Sequence, residues 1–260
     1  MSKENYKNIS LSLEKKVAII KFNREDKLNA LNSELIGELG HALIDLDKNS
    51  KISVVLIHGS NKAFAAGADI AEMAKKTFSE NYRTEFLKNW APVAKFSKPI
   101  IAAVSGYALG GGLELALSCD IIYAADNAKF GQPEITLAIL PGIGGTQRLV
   151  KAIGKYKAME MCLTGKMISA KDALNFNLVA EILPEDQILS KTLALADKIS
   201  QFSLPALRMV KEAINYSFES SLAGGLHFER RLFHAAFALD DQKEGMQAFL
   251  EKRKPAFKDQ

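Results

Sequence analysis

Two cysteines, one tryptophan and four histidines are all that this 260-residue chain holds of those types, and each scarcity closes off a class of function. Cys119 and Cys162 lie in apolar stretches. They are too few for a disulfide framework and point to a reducing compartment. His58 ends a strand-like run, while His41, His227 and His234 fall in helical patterns. No carboxylate or cysteine is arranged around them at metal-ligand spacing, so no metal site is legible. The opening "MSKENYKNIS" has no apolar core and is not arginine-rich, so no signal or transit peptide is read there. No apolar run is long enough for a membrane span. The expected location is cytoplasmic. Nucleotide motifs fail as well: "GGGLELALS" lacks the Gly-Lys-Ser/Thr ending of a phosphate loop, and "PGIGGTQRL" does not complete the dinucleotide pattern. A Gly-x-Ser-x-Gly nucleophile elbow is also missing.

What is present is an ordinary globular composition, 48% hydrophobic and 25% charged. The net charge of +4 comes from Lys and Arg scattered among nearly as many Asp and Glu, which argues against a nucleic-acid stripe. The densest basic run, "EKRKPAFKDQ" at the end, reads as a solvated tail. β-Branched runs at 17–22 ("VAIIKF"), 53–59 ("SVVLIHG"), 99–106 ("PIIAAVSG") and 120–126 ("DIIYAAD") predict strands, with 178–184 a weaker fifth. Between the first two, "NSELIGELGHALIDLDKN" spaces apolar residues at helical intervals behind an Asn-Ser cap. Alternating strands and helices predict α/β layers. Beyond about residue 145 the pattern is almost wholly helical.

One stretch, "YALGGGLELALSCD" (107–120), demands a chemical reading. A strand running through Gly110, Gly111 and Gly112 into a helix aims backbone N–H groups at one point, where the helix adds partial positive charge. Without Cβ atoms, a ligand oxygen can approach that backbone. Such an arrangement suits an oxygen that becomes negative during reaction. Glu114 then stands among Leu113, Leu115, Ala116 and Leu117, with no polar helix face to serve, so burial is expected to raise its pKa and make it a candidate acid or base. Glu134 follows Pro133 in a Gly/Pro-punctuated loop. Ala66, Gly67 and Ala68 follow another strand, with Asp69 as a helix cap. Together these residues outline two backbone donors and two carboxylates.

At these residues the chain resembles the enoyl-CoA hydratase/isomerase (crotonase) family. "IAAVSGYALGGGLELALSCDI" matches the family signature, and "FAAGADI", "FGQPEITLAILPGIGGTQRL" and "FLEKRKPAFKD" match in order and spacing. The resemblance implies an α/β spiral of repeated ββα units over 1–195. It also implies a helical region over 196–260 that supplies contacts of a homotrimer or homohexamer, with no membrane or nucleic-acid partner. An acyl-CoA thioester would be the substrate and no separate cofactor would be needed. The amides of Ala68 and Gly111 would form the oxyanion hole, Glu114 and Glu134 would be the catalytic pair, and Gly142 would donate near the attacking water. Ala66, Asp69 and Ile70, with Lys27 and Leu28 of "KLNAL", match the region holding adenine and pantetheine. Lys62, and Lys252 from a neighbouring subunit, would meet the CoA phosphates, and Phe249 would line the acyl pocket. Ala138 and Leu140 depart from an expected glycine and a smaller β-branched residue. Retention of both glutamates favours hydration over double-bond isomerisation; an RNA-binding or scaffold role, or an inactive trimer, are the alternatives from other classes.

Overall fold

The computed structural model of the chain describes residues 6–84 and 87–260, so the first five residues of the opening segment lie outside it. Four of the predicted strands form where the apolar runs put them: β2 (Val17–Phe22), β3 (Val54–His58), β5 (Ile100–Val104) and β7 (Ile121–Ala125). β3 and β5 are apolar nearly throughout because helices cover both faces of the sheet they occupy. The hairpin partner β1 (Ile9–Glu14) and the edge strand β10 (Glu181–Leu183) complete six strands in the order β1-β2-β3-β5-β7-β10. Only the β1–β2 hairpin is antiparallel.

A second, four-stranded sheet was not legible as strands. β4 (Ala63–Ala65), β6 (Tyr107–Leu109), β8 (Lys129–Gly131) and β9 (Ile168–Ser169) are two or three residues each, in the order β4-β6-β8-β9. The chain thus passes three times from the large sheet to the small one and then into a helical turn: β3–β4, β5–β6 and β7–β8. These are the expected ββα units.

The Ser33–Lys48 helix starts where the cap sequence places it, with the Asn32 side chain accepting from the Leu35 N–H at 3.0 Å. Its buried stripe includes Leu35, Leu39, Leu43 and Leu46, which pack one face of the large sheet; each such side chain contributes about 1.5–3 kcal/mol of burial. The opposite face is covered by the Ile188–Ser200 helix, whose Ile188 and Ala196 join Val54, Leu56, Ile101 and Ala103. A division at 195/196 therefore cuts one helix that belongs wholly to the core. The break to helices that leave the sheet falls near Ser203 instead.

Three such helices follow, Leu204–Tyr216, Leu222–Ala236 and Asp240–Leu250. The final residues are largely exposed, but hydrogen bonds tie their end to the body of the protein. Asp241, 3% exposed, accepts from the N–H groups of Lys258 (2.7 Å) and Asp259 (2.9 Å). Asp259 in turn accepts from the Leu204 N–H at 2.8 Å and pairs with Lys16 at 2.8 Å. Charge pattern alone missed this because the carboxylates that anchor the tail are distant in sequence.

Candidate active site

The ends of β4 and β6 bring Ala68 and Gly111 side by side. A parallel bridge joins Leu31 to Ala68, with the Leu31 N–H donating to Gly67 O (2.8 Å) and the Asp69 N–H to Leu31 O (3.0 Å). That pattern passes over Ala68, whose own N–H has no acceptor among the described residues. Gly111 opens the Gly111–Ala116 helix, where the first N–H groups have no partner within the helix. A Cβ built on Gly111 would lie 3.7 Å from the Ala68 nitrogen, so the two free donors share one hollow.

The three glycines serve different ends. Gly110 has φ +50° and ψ −124°, a conformation closed to side chains, and a Cβ there would stand 3.0 Å from Glu134 Oε1. Gly112 lets the helix press onto β4, since a Cβ would come within 2.0 Å of Ala65 O. Gly111 meets nothing of the protein closer than 3.7 Å; the space beside it is left for something else.

Glu114 is 2% exposed, buried as its apolar neighbours predict. Its Oε1 accepts from the N–H groups of Ile143 and Gly145, both at 2.7 Å. Burial pushes its pKa up; the amides of Gly145, Ile143 and Gly142, with the Arg148 guanidinium, oppose that and favour the ionised form. The Gly142 amide is the weakest of these influences on Glu114.

Glu134 begins a different environment on the Pro133–Leu137 turn of 3-10 helix after β8. Burial first, and the nearby Glu114 charge, raise its pKa to about 7. Its Oε1 accepts from Gln132 Nε2 at 3.0 Å, while its Oε2 is buried without a partner. Gln132 is fully buried and was missed in the sequence, where a glutamine before a proline carries no signal. Burial, and then the charges of Glu134 and Glu114, push the Cys162 thiol up. Two buried carboxylates with raised pKa values, one of them on two backbone amides, beside two unused amides, are an arrangement for moving two protons while an oxyanion forms.

The loop expected to hold adenine and pantetheine comes together with the strand end it was paired with: the Ala66 N–H donates to Leu28 O at 3.0 Å. Leu28 and Asn29 both adopt left-handed backbone, φ +50° and +55°, held by the Asn29 side chain on Ala63 O (2.9 Å). Asp69 stands at the cap of the Ile70–Met73 helix, but its carboxylate is engaged by Arg24 at 3.0 Å rather than by a cap bond. Arg24 also donates to Ala30 O and so ties the loop to that helix. Lys27, Lys62 and Ile70 are exposed at this rim. Phe249, 83% exposed, and Lys252 stay on the surface of the single chain. Leu140 is 72% exposed, and Ala138 has φ +56°, the conformation for which glycine is suited.

Comparison with known proteins places the chain in one family. The profile of the family described as enoyl-CoA hydratase/isomerase matches residues 12–260. A probable enoyl-CoA hydratase of Mycobacterium bovis is 53% identical over 252 residues, covering 97% of this chain and 98% of that protein. A mitochondrial enoyl-CoA hydratase of Pongo abelii is 48% identical over 244 residues, 94% of this chain and 84% of its own length. The crystal structure of an enoyl-CoA hydratase from Bacillus anthracis superposes with a TM-score of 0.93 at 38% identity, covering 98% of this chain and all of that one.

Proposed function

The chain belongs to the enoyl-CoA hydratase/isomerase family, and from that premise we propose that it is an enoyl-CoA hydratase adding water reversibly across the C2=C3 bond of a trans-2-enoyl-CoA to give the 3-hydroxyacyl-CoA. The observation that carries this reading is a pair of neighbouring carboxylates, both raised in pKa by burial and one of them held on two backbone amides, beside two unused amides. The Ala68 and Gly111 N–H groups hold the thioester oxygen. Negative charge reaches that oxygen as an enolate forms, so fixed donors favour the transition state over the substrate. Glu114, whose carboxylate form the Ile143 and Gly145 amides stabilise against the upward push of burial, takes a proton from water as the water oxygen bonds to C3. Glu134, protonated below about pH 7, gives its proton to C2. One molecule of water is gained and both carboxyls are restored when the proton on Glu114 passes back to Glu134. The thioester is the electron sink, so the reaction needs no resident metal or redox cofactor.

The same proposal runs CoA along 27–31 and 66–70, with Lys62 and a neighbouring subunit's copy of Lys252 at the phosphates and of Phe249 at the acyl chain. The C-terminal helices support assembly. Leu222 (79%), Phe233 (60%) and Leu250 (75%) are exposed, and the Leu222–Ala236 helix buries no residue in the single chain. A trimer or a dimer of trimers would cover them. The product chemistry fits fatty-acid β-oxidation or butanoate metabolism, in a soluble compartment; no helix among the described residues is long and apolar enough to cross a membrane.

The test is crotonyl-CoA with purified protein, following loss of the conjugated enoyl-thioester absorbance and product mass. Decay with a gain of one water supports hydration. Inertness toward every trans-2-enoyl chain length, with trans-3-enoyl thioesters gaining conjugation instead, would replace it with isomerisation.

A further inference from the structure

Away from the site described above, the end of the Ser33–Lys48 helix, the start of the Leu204–Tyr216 helix and the docked C-terminus enclose a cavity of about 250 Å³. Asp47, Lys98, Leu204, Pro205, Arg208 and Asp259 are among its walls. Lys98 is fully buried, and its amine donates to Leu46 O (2.6 Å) and Asn49 O (2.7 Å). An ammonium has three protons, so these bonds leave one donor over. Arg208 reaches Asp47 O with one terminal nitrogen at 3.4 Å, and its Nε is buried with no acceptor. Neither cation enters an ion pair among the described residues.

The two carboxylates in the wall make their hydrogen bonds to groups other than Lys98 and Arg208. Asp47 Oδ1 accepts from the Ser97 N–H (3.1 Å) and hydroxyl (2.7 Å). Asp259 gives Oδ1 to the Leu204 N–H and Oδ2 to Lys16, both at 2.8 Å. Two neighbouring cations, Lys98 buried and Arg208 half-buried, thus repel each other over a hollow whose two carboxylates make their hydrogen bonds to other groups. Burial, and then the Arg208 charge, lower the Lys98 pKa to about 8, and the Asp47 and Asp259 charges offset this only in part. Leaving buried charged donors unsatisfied is costly, and an anion with several acceptor oxygens relieves both at once. The positive end of the Leu204–Tyr216 helix faces the same hollow.

We propose that this cavity is a binding site for a small oxyanion of the phosphate or sulfate class, held between Lys98 and Arg208 and tying the C-terminal helical region to the core. The site is independent of the hydratase reading.

Thermal unfolding of the full chain is measured against inorganic phosphate, sulfate and acetate at constant ionic strength set with chloride. The expected result is a rise in Tm that follows ligand occupancy with phosphate and sulfate and is weaker with acetate. In Arg208→Gln the phosphate dissociation constant rises about tenfold or more, and in Lys191→Gln, an exposed position on the Ile188–Ser200 helix, it is unchanged. Arg208→Lys, which keeps the charge but loses the Nε donor, gives an intermediate loss and serves if the Gln variant does not fold. No phosphate effect beyond the chloride control overturns the proposal, as does an equal response in both Arg208 variants and the parent. So does a phosphate-soaked crystal with only water between Lys98 and Arg208.

Discussion

Adding one methyl group at Gly111 and one at Gly112, in separate variants, should separate chemistry from packing. At Gly112 the new Cβ would fall 2.0 Å from Ala65 O and 2.7 Å from Ala65 C, backbone atoms of β4 that have no rotamer to yield. Overpacking of that kind costs about 1–3 kcal/mol or more. For a chain of this size the cost lowers Tm by roughly 3–10 °C. At Gly111 the nearest protein atoms to a new Cβ are 3.7–3.8 Å away, an ordinary contact, and the residue sits at the start of a helix where alanine is favoured. Gly111→Ala should therefore fold as the parent does, or unfold slightly later.

The Gly111 methyl, however, occupies the hollow that the Ala68 and Gly111 N–H groups share. An oxygen held there loses its place against one or both donors, and losing one such donor costs about 10²–10³ in kcat. The assays are crotonyl-CoA hydration by absorbance and thermal unfolding on the same preparations. A folded Gly111→Ala with parental turnover would refute the assignment of these amides to the thioester oxygen. An unshifted Tm in Gly112→Ala would refute the packing argument and leave the Gly-Gly-Gly run without its steric reason.

Three further outcomes are expected. Glu114→Gln and Glu134→Gln each slow hydration by about 10²–10⁴-fold while CoA-thioester binding, measured by calorimetry, persists, because the oxyanion donors are main chain. Titration of Glu134 gives both rate and stability a sign. Hydration kcat should fall as pH rises through about 7 and the acid loses its proton; the raised folded-state pKa means that this group's contribution to stability is complete below about 4.5 and lost as pH rises through about 7. Glu134→Gln should thus be more thermostable than the parent at pH 8, with the gap closing toward pH 5; a gap that widens on acidification would reverse the argument. Ala138→Gly removes a left-handed alanine at φ +56°. Relief of about 1–2 kcal/mol, less the glycine's extra freedom when unfolded, should raise Tm by about 1–3 °C.

The large sheet was legible because its central strands are buried on both faces and so read as continuous β-branched runs. β1 is half exposed, with only Ile9 buried, and its "ISLSLE" has too little apolar content to stand out. The small sheet was illegible for a deeper reason. "AFA", "YAL" and "KFG" are three residues each, and what makes them strands is their pairing, not their composition. Both carboxylates were legible as candidates, Glu114 from its apolar neighbours and Glu134 from its loop. Their difference was not, since it depends on amides from Gly142, Ile143 and Gly145 that the chain folds back onto Glu114 and withholds from Glu134. The CoA residues on the C-terminal helix were placed by resemblance alone, and in one chain Phe249 remains on the surface.

The strands that could not be read are also what assembles the site. β4, β6 and β8 run parallel and adjacent, with Ala63 opposite Tyr107 and Leu109 opposite Gly131. Ala68 comes three residues after β4 ends, Gly111 two after β6, and Glu134 three after β8. Each ββα unit thus delivers one site group at the C-terminal edge of the same small sheet, where parallel strands in α/β folds leave a crevice for ligands. The Gly110 N–H donates to Gly131 O at 2.9 Å, locking the second unit's turn to the end of the third unit's strand. Glu114, one helical turn past Gly111, is then carried inward by the helix that Gly112 allows to sit close. A slip of one residue in β6 would move Gly111 and Glu114 together away from Ala68 and Glu134. Its register is therefore as much a requirement of the chemistry as either carboxylate, and Gly112, by fixing the depth of the helix, is the side-chain-free position through which packing sets that geometry.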